Sequence, residues 1–141
     1  DSGLYLRIAV HAILISLGSF ALGDWLGNQL KHIVTRVRPC NVLEDVNLLV
    51  GCTRSFSMPS NHVINYFAAV TPLLYFARKE VSPLWNFYAV LIAILVAYSR
   101  IYVGVHYPTD AIIGAVIGIV VASAFIAVYK YASVRYQSKH Y

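Results

Sequence analysis

The chain has 141 residues, 59% of them hydrophobic and only 12% charged. A soluble domain of this size carries roughly twice that charged fraction, so the composition excludes an ordinary water-soluble globule and favours a membrane-embedded one. The formal charge of +5 would fit nucleic acid in a soluble protein. Here the basic residues flank apolar spans, so the charge points to membrane orientation or an anionic substrate, with no nucleic-acid partner.

The opening residues 1–7 lack the basic run and small-residue cleavage site of a signal peptide and lead directly into an apolar segment from Ile8 to about Leu26. This segment contains His11 and Asp24, so it does not face lipid all round. The helix is expected to continue to Arg38 and to end at Pro39. Asp24, Asn28 and Lys31 then share a face, as do Lys31 and Arg38, two turns apart. The stripe is either a solvated headgroup-level surface or part of a site.

Residues 40–59 are too polar to span a membrane. Val42, Leu43, Val46, Leu49 and Val50 recur at near-helical spacing and predict a short interfacial amphipathic helix, serving as a lid or lipid access lip or packed across the bundle mouth. Cys40 and Cys52 bracket this region. They either pair, if the loop faces an oxidising compartment, or remain two buried thiols.

Ser60 is placed to N-cap a helix starting near Asn61, which would aim free backbone N–H groups outward. That helix runs to Ala77 and is followed by Arg78, Lys79 and Glu80. Ser82-Pro83 opens a third helix that reaches Arg100. A fourth begins at Pro108 or Thr109, and its residues 111–129 carry no charge, enough to span a bilayer. Gly114 and Gly118 permit close helix contact, expected within the bundle. The fold class is therefore all-α, a polytopic transmembrane bundle of about four spans in a single domain, residues 1–141.

Four spans put residues 28–61 and 101–108 on one side, and both termini with the 78–83 loop on the other. Arg78, Lys79 and the tail residues Lys130, Arg135 and Lys139 make the second side cytoplasmic. A raw count is indecisive, because Lys31, Arg36, Arg38, Arg54 and Arg100 lie on the first side. These five cluster near histidines and turns and are read as functional. The expected location is the bacterial inner membrane, with the site facing the periplasm or exterior.

The topology thus gathers Lys31 with Arg38, Ser60-Asn61-His62, and Arg100-His106-Asp110. Three fixed cations would repel a divalent ion, although His106, Asp110 and His62 include metal-ligating types. A serine hydrolase would need an oxyanion hole and a nucleophile elbow, and neither is visible. A phosphoryl site fits: cations neutralise the phosphate, one histidine attacks phosphorus, and a second protonates the leaving alkoxide.

In order and spacing, Lys31-x6-Arg38-Pro39, Pro59-Ser60-Asn61-His62 and Ser99-Arg100-x5-His106-x3-Asp110 resemble the tripartite signature of the type 2 phosphatidic acid phosphatase superfamily. That family includes membrane lipid phosphatases, undecaprenyl diphosphate phosphatases and glucose-6-phosphatase, with soluble vanadium haloperoxidases as relatives. The resemblance implies a phosphohistidine on His106 oriented by Asp110, and His62 as general acid and then base. Lys31, Arg38, Arg100, Ser60 and the backbone amide at position 61 would hold the phosphate, with no metal or other cofactor. It further implies a lipid phosphate or diphosphate substrate; a phosphotransferase and a catalytically silent anionic-lipid binder stay as alternatives. Asn61 replaces the usual Gly, as in lipid A 1-phosphatase-like members, and its amide is expected beside the phosphate. Family members have six helices, so two are expected to precede residue 1.

Overall fold

The computed structural model describes residues 2–46, 48–79 and 82–140; Asp1, Glu80 and Tyr141 lie outside the described residues. Four α-helices follow one another: α1 (Ser2–Val34), α2 (Asn61–Ala77), α3 (Pro83–Tyr102) and α4 (Pro108–His140), with a single 3-10 turn at Pro39–Asn41. Among the described residues there is no strand.

Two boundaries differ from expectation. The first helix stops at Val34, four residues short of Arg38. Thr35 takes a left-handed φ of 50°, rare for a β-branched residue, and the chain leaves extended, with Arg38 at φ −68° and ψ 148°. Lys31 and Arg38 therefore do not share a helical face. The predicted interfacial helix is also absent: the described residues 42–46 and 48–59 form turns and irregular chain. Near the end of this segment three carbonyls are taken by side chains, with Ser55 O accepting from Arg38 Nε and Phe56 O and Pro59 O from Lys31 Nζ.

α2 starts at Asn61 as expected, but the Ser60 side chain makes no capping hydrogen bond; α3 and α4 follow their sequence signals. Ser82 caps α3 by accepting from the Leu84 N–H at 3.3 Å, ahead of Pro83. Pro108 opens α4, and Asp110 in its first turn reaches back to the Tyr107 N–H at 2.9 Å. That is the geometry by which an acid at the third helical position satisfies a free N-terminal donor.

α2 lies between α1 and α4, pressed on both sides by glycines. A Cβ at Gly118 of α4 would sit 2.6 Å from the Ile64 carbonyl oxygen, and one at Gly114 would sit 2.9 Å from that of Ser60. On α1, a Cβ at Gly23 would lie 3.0 Å from Ile64 Cγ2. Ile64, Val63 and Ala68 are consequently buried at the centre. The Gly114–Gly118 pair thus works within the bundle.

α3 is peripheral, and Ala93 is its one buried hydrophobic residue among those described. The outward faces carry Trp85, Phe87, Ile94, Ile112 and Val120, all exposed, a surface suited to lipid rather than water. Among the described residues, α1, α3 and α4 are long and apolar enough to cross a membrane. This is one fewer than expected. α2, with 17 residues, extends about 26 Å and begins in polar residues.

Candidate active site

The C-terminal ends of α1 and α3, the N-terminal ends of α2 and α4, and the segments 35–60 and 103–107 meet at one end of the bundle. Ser60 N–H donates to Asp110 O at 3.1 Å, tying the start of α2 to the first turn of α4. Cys40 N–H donates to Gly104 O at 3.1 Å, tying the long segment to the α3–α4 turn. Gly104 has φ +73°, and a Cβ there would run into Val46. Cys40 and Cys52 are joined by a disulfide, with Cα atoms 6.1 Å apart.

His106 lies at the centre and is 4% exposed; Asp110 is fully buried. Nδ1 of His106 faces Asp110 Oδ2 at 3.5 Å, long for a hydrogen bond but close enough to orient the ring. The other ring nitrogen, Nε2, lies 3.4 Å from Arg38 Nη1. Burial pushes the His106 pKa below the ordinary histidine value; Asp110 opposes this, and the Arg38 and Lys31 charges add to it.

Arg38, 9% exposed, is locked in place. It donates from Nε to Ser55 O and from Nη2 to Ser55 Oγ, both at 2.9 Å, and from Nη1 to Val105 O at 3.0 Å. Lys31, 7% exposed, donates to Pro59 O at 2.7 Å and Phe56 O at 3.0 Å, leaving a third N–H for another acceptor. Arg100 is half-buried, with Nε donating to Ser99 Oγ at 3.2 Å. His62 is exposed, and the charges of Arg100, Arg38 and Lys31 act on it together with His106. Ser60 and Ser57 are fully buried, and their hydroxyls have no partner among the described residues. Among those residues no three His, Cys, Asp or Glu side chains converge as a metal site would need; the polar groups around His106 are mainly cations.

Every residue singled out from sequence lies at this end, but one points elsewhere. The Asn61 side chain turns away towards α1, donating to Asn28 Oδ1 at 3.0 Å and Asp24 Oδ1 at 3.1 Å. Asn65 joins the same carboxylate at 2.9 Å. Gly27 leaves the room: a Cβ there would lie 2.6 Å from Asn61 Oδ1. The amide is therefore an interhelical tie and not a group beside the phosphate, while the backbone N–H at position 61 remains at the helix start. Asp24 and Asn28 of this stripe thus bind α2 through Asn61 and Asn65.

Sequence reading gave Arg36 no specific role and left out Ser55 and Ser57. Arg36 Nη1 pairs with Asp110 Oδ1 at 2.9 Å. The available signal was spacing: Arg36 and Arg38 are two residues apart, and side chains two apart on extended chain project to one side.

The chain matches the PAP2 superfamily over residues 12–133. It is 39% identical over 102 residues to the undecaprenyl-diphosphatase of Sulfolobus acidocaldarius, which covers 71% of this chain and 47% of that protein. It is 33% identical over 119 residues to the lipid A 4'-phosphatase of Bacteroides thetaiotaomicron, covering 79% of this chain and 51% of the relative. The crystal structure of LpxE from Aquifex aeolicus is similar with a TM-score of 0.75 and 28% identity, over 90% of this chain and 78% of that one. The chain spans about half the length of the curated relatives it matches. The family match runs from the first third of α1 to near the end of α4 and takes in parts of all four helices: this chain belongs to the PAP2 superfamily.

Proposed function

We propose that the chain is the membrane-embedded domain of a phosphatase that removes the terminal phosphate of a lipid phosphate or diphosphate through a phosphohistidine. The carrying observation is the pair of environments around His106: a carboxylate at Nδ1, and the Arg38 guanidinium 3.4 Å from Nε2. A neutral imidazole with its proton held at Nδ1 presents the Nε2 lone pair where an anionic phosphate is attracted.

In the first step Nε2 attacks phosphorus, the bond to the leaving oxygen breaks, and protonated His62 gives that oxygen its proton. Lys31, Arg38 and Arg100, with the Ser60 hydroxyl and the Asn61 N–H, stabilise the charge on the non-bridging oxygens. In the second step neutral His62 takes a proton from a water whose oxygen attacks phosphorus; the P–Nε2 bond breaks, releasing phosphate and restoring His106. These cations do the charge neutralisation that a metal ion would supply elsewhere, so the reaction is assigned to the protein's own groups.

A lipid substrate is supported by the ground beneath the site. A cavity of about 290 Å³ opens between α2, α3 and α4, lined by Val63, Phe67, Ala97, Ile101 and Ala111 among others. Val63, Ile101 and Ala111 are the residues that follow His62, Arg100 and Asp110, so this apolar cavity is carried by the same helix ends as the polar groups. The names of the similar undecaprenyl-diphosphatase and lipid A 4'-phosphatase support the same class. The Cys40–Cys52 bond supports an oxidising, extracytoplasmic face for this end of the bundle, with the basic ends at Arg78 and Lys130 in the cytoplasm.

The test is phosphate release from a polyprenyl diphosphate, a phosphatidate and a lipid A phosphate presented in micelles, with and without chelator. Release from at least one, unchanged by chelator and inhibited by vanadate, is expected. No release from any, or release that depends on an added divalent ion, contradicts the proposal.

A further inference from the structure

Asp110 is completely buried, and a buried carboxylate needs a compensating positive charge. His106 cannot supply it and also act as nucleophile, because the attacking imidazole must be neutral. We propose that Arg36 is the positioning residue that supplies this charge, holding Asp110 ionised and turned towards His106 while His106 itself stays uncharged. The inference rests on the proposal that His106 is the nucleophile.

The two carboxylate oxygens are divided between two tasks. Oδ2 faces His106 Nδ1 at 3.5 Å and accepts the Tyr107 N–H at 2.9 Å. Oδ1 accepts from Arg36 Nη1 at 2.9 Å. Arg36 is itself fixed from several directions. Nη1 also donates to Thr109 Oγ1 at 2.6 Å, and the guanidinium lies 3.9 Å from the centre of the Tyr107 ring. Its backbone oxygen accepts the Ser57 N–H at 2.8 Å. The side chain is 35% exposed, so it closes the outer side of Asp110 and is partly hydrated. A guanidinium is always charged, and its planar fork suits this shared recognition.

The other charged and titratable groups around His106 have different tasks. Arg38 and Lys31 bear on it from the segment after α1 and from α1, and Asp110 faces it from α4. His62 faces it from α2, with Arg100 of α3 bearing on His62. Arg38 stands at Nε2, where the phosphate would bind, and Lys31 is committed to two carbonyls. Neither makes a hydrogen bond to Asp110, whereas Arg36 does. Without Arg36, the carboxylate would draw its counter-charge from His106. The imidazolium form would then persist to higher pH, and the nucleophile would be protonated where it is now free.

The experiment is kcat and KM against pH for Arg36→Gln and Arg36→Lys, using farnesyl diphosphate and dioctanoyl phosphatidate as probes. In Arg36→Gln the acidic limb of kcat/KM is expected to move up by about one pH unit, and kcat at its optimum to fall about tenfold or more. KM should be little changed, because Arg36 bonds to the far oxygen of Asp110 and acts on His106 through it. Arg36→Lys should return the limb most of the way. A limb that stays at the wild-type position in folded Arg36→Gln overturns the proposal, since a merely structural arginine would lower the rate without moving it. Should Arg36→Gln fail to fold, the double variant with Asp110→Asn decides. It should fold, because the charge that needed compensation is gone; failure of the double variant as well contradicts the proposal. His106→Ala is the separate control: activity that survives in it removes the nucleophile assignment, whereas loss there with an unmoved Arg36→Gln limb removes only the role of Arg36.

Discussion

At the scale of the residue, identity and direction are different facts. Asn61 sits in a motif position that reads as phosphate-facing, yet its amide joins Asp24 and Asn28 on α1. A polar side chain beside an apolar neighbouring helix takes the partners it can reach, and Gly27 supplies the space for it. His106 shows the opposite case, where burial sets the chemistry. Because burial lowers its pKa, the neutral form, which the proposed mechanism requires, persists as pH falls below the ordinary histidine value of about 6.5. The acidic limb of activity should therefore lie below that value, where pH falls through the lowered one. Measuring kcat/KM from pH 4.5 to 8 checks this; an acidic limb centred above pH 6.5 with chemistry rate-limiting contradicts it.

At the scale of the element, α2 carries Ser60 and His62 to the site and is seated by glycines on either side. Gly118→Ala would place its Cβ 2.6 Å from the Ile64 carbonyl oxygen and 2.8 Å from Phe67 Cβ, so α2 and α4 must move apart. The expected cost is about 1–3 kcal/mol, seen as a lower thermal midpoint in detergent, and activity should fall with it. Gly3→Ala, which meets nothing within 4 Å, is the control; equal midpoints for the two variants would contradict the packing argument. The starts of α3 and α4 were legible because Ser82-Pro83 and Pro108 are local signals that tertiary contacts do not override; α2 starts at Asn61 as expected, but the Ser60 hydroxyl makes no capping hydrogen bond. The end of α1 was not legible, since nothing before Pro39 marks the left-handed turn at Thr35. The segment after it also misled: the apolar spacing of Val42, Leu43, Val46, Leu49 and Val50 is helix-like, yet the described residues there form turns and irregular chain between the bonded Cys40 and Cys52.

At the scale of the whole molecule, the apolar exterior and polar end divide the work. Membrane-facing side chains fix the depth of the bundle, while α1, α2 and α4 converge their polar ends on one buried imidazole. Composition and motif order made both features visible in the sequence, and the titratable side chains at positions 31, 38, 62, 100, 106 and 110 lie at one end of the bundle. What spacing alone did not disclose is the division of labour among the arginines, because it depends on which carboxylate oxygen each can reach. The central proposal, covalent catalysis by His106, is tested most directly by rapid quenching with a substrate labelled in its terminal phosphate. The expected result is an acid-labile, base-stable phosphoryl adduct mapped to His106, absent in His106→Ala, whose phosphate release falls on the order of a thousandfold or more. Label-free protein throughout turnover, or His106→Ala releasing phosphate at the wild-type rate, would contradict it.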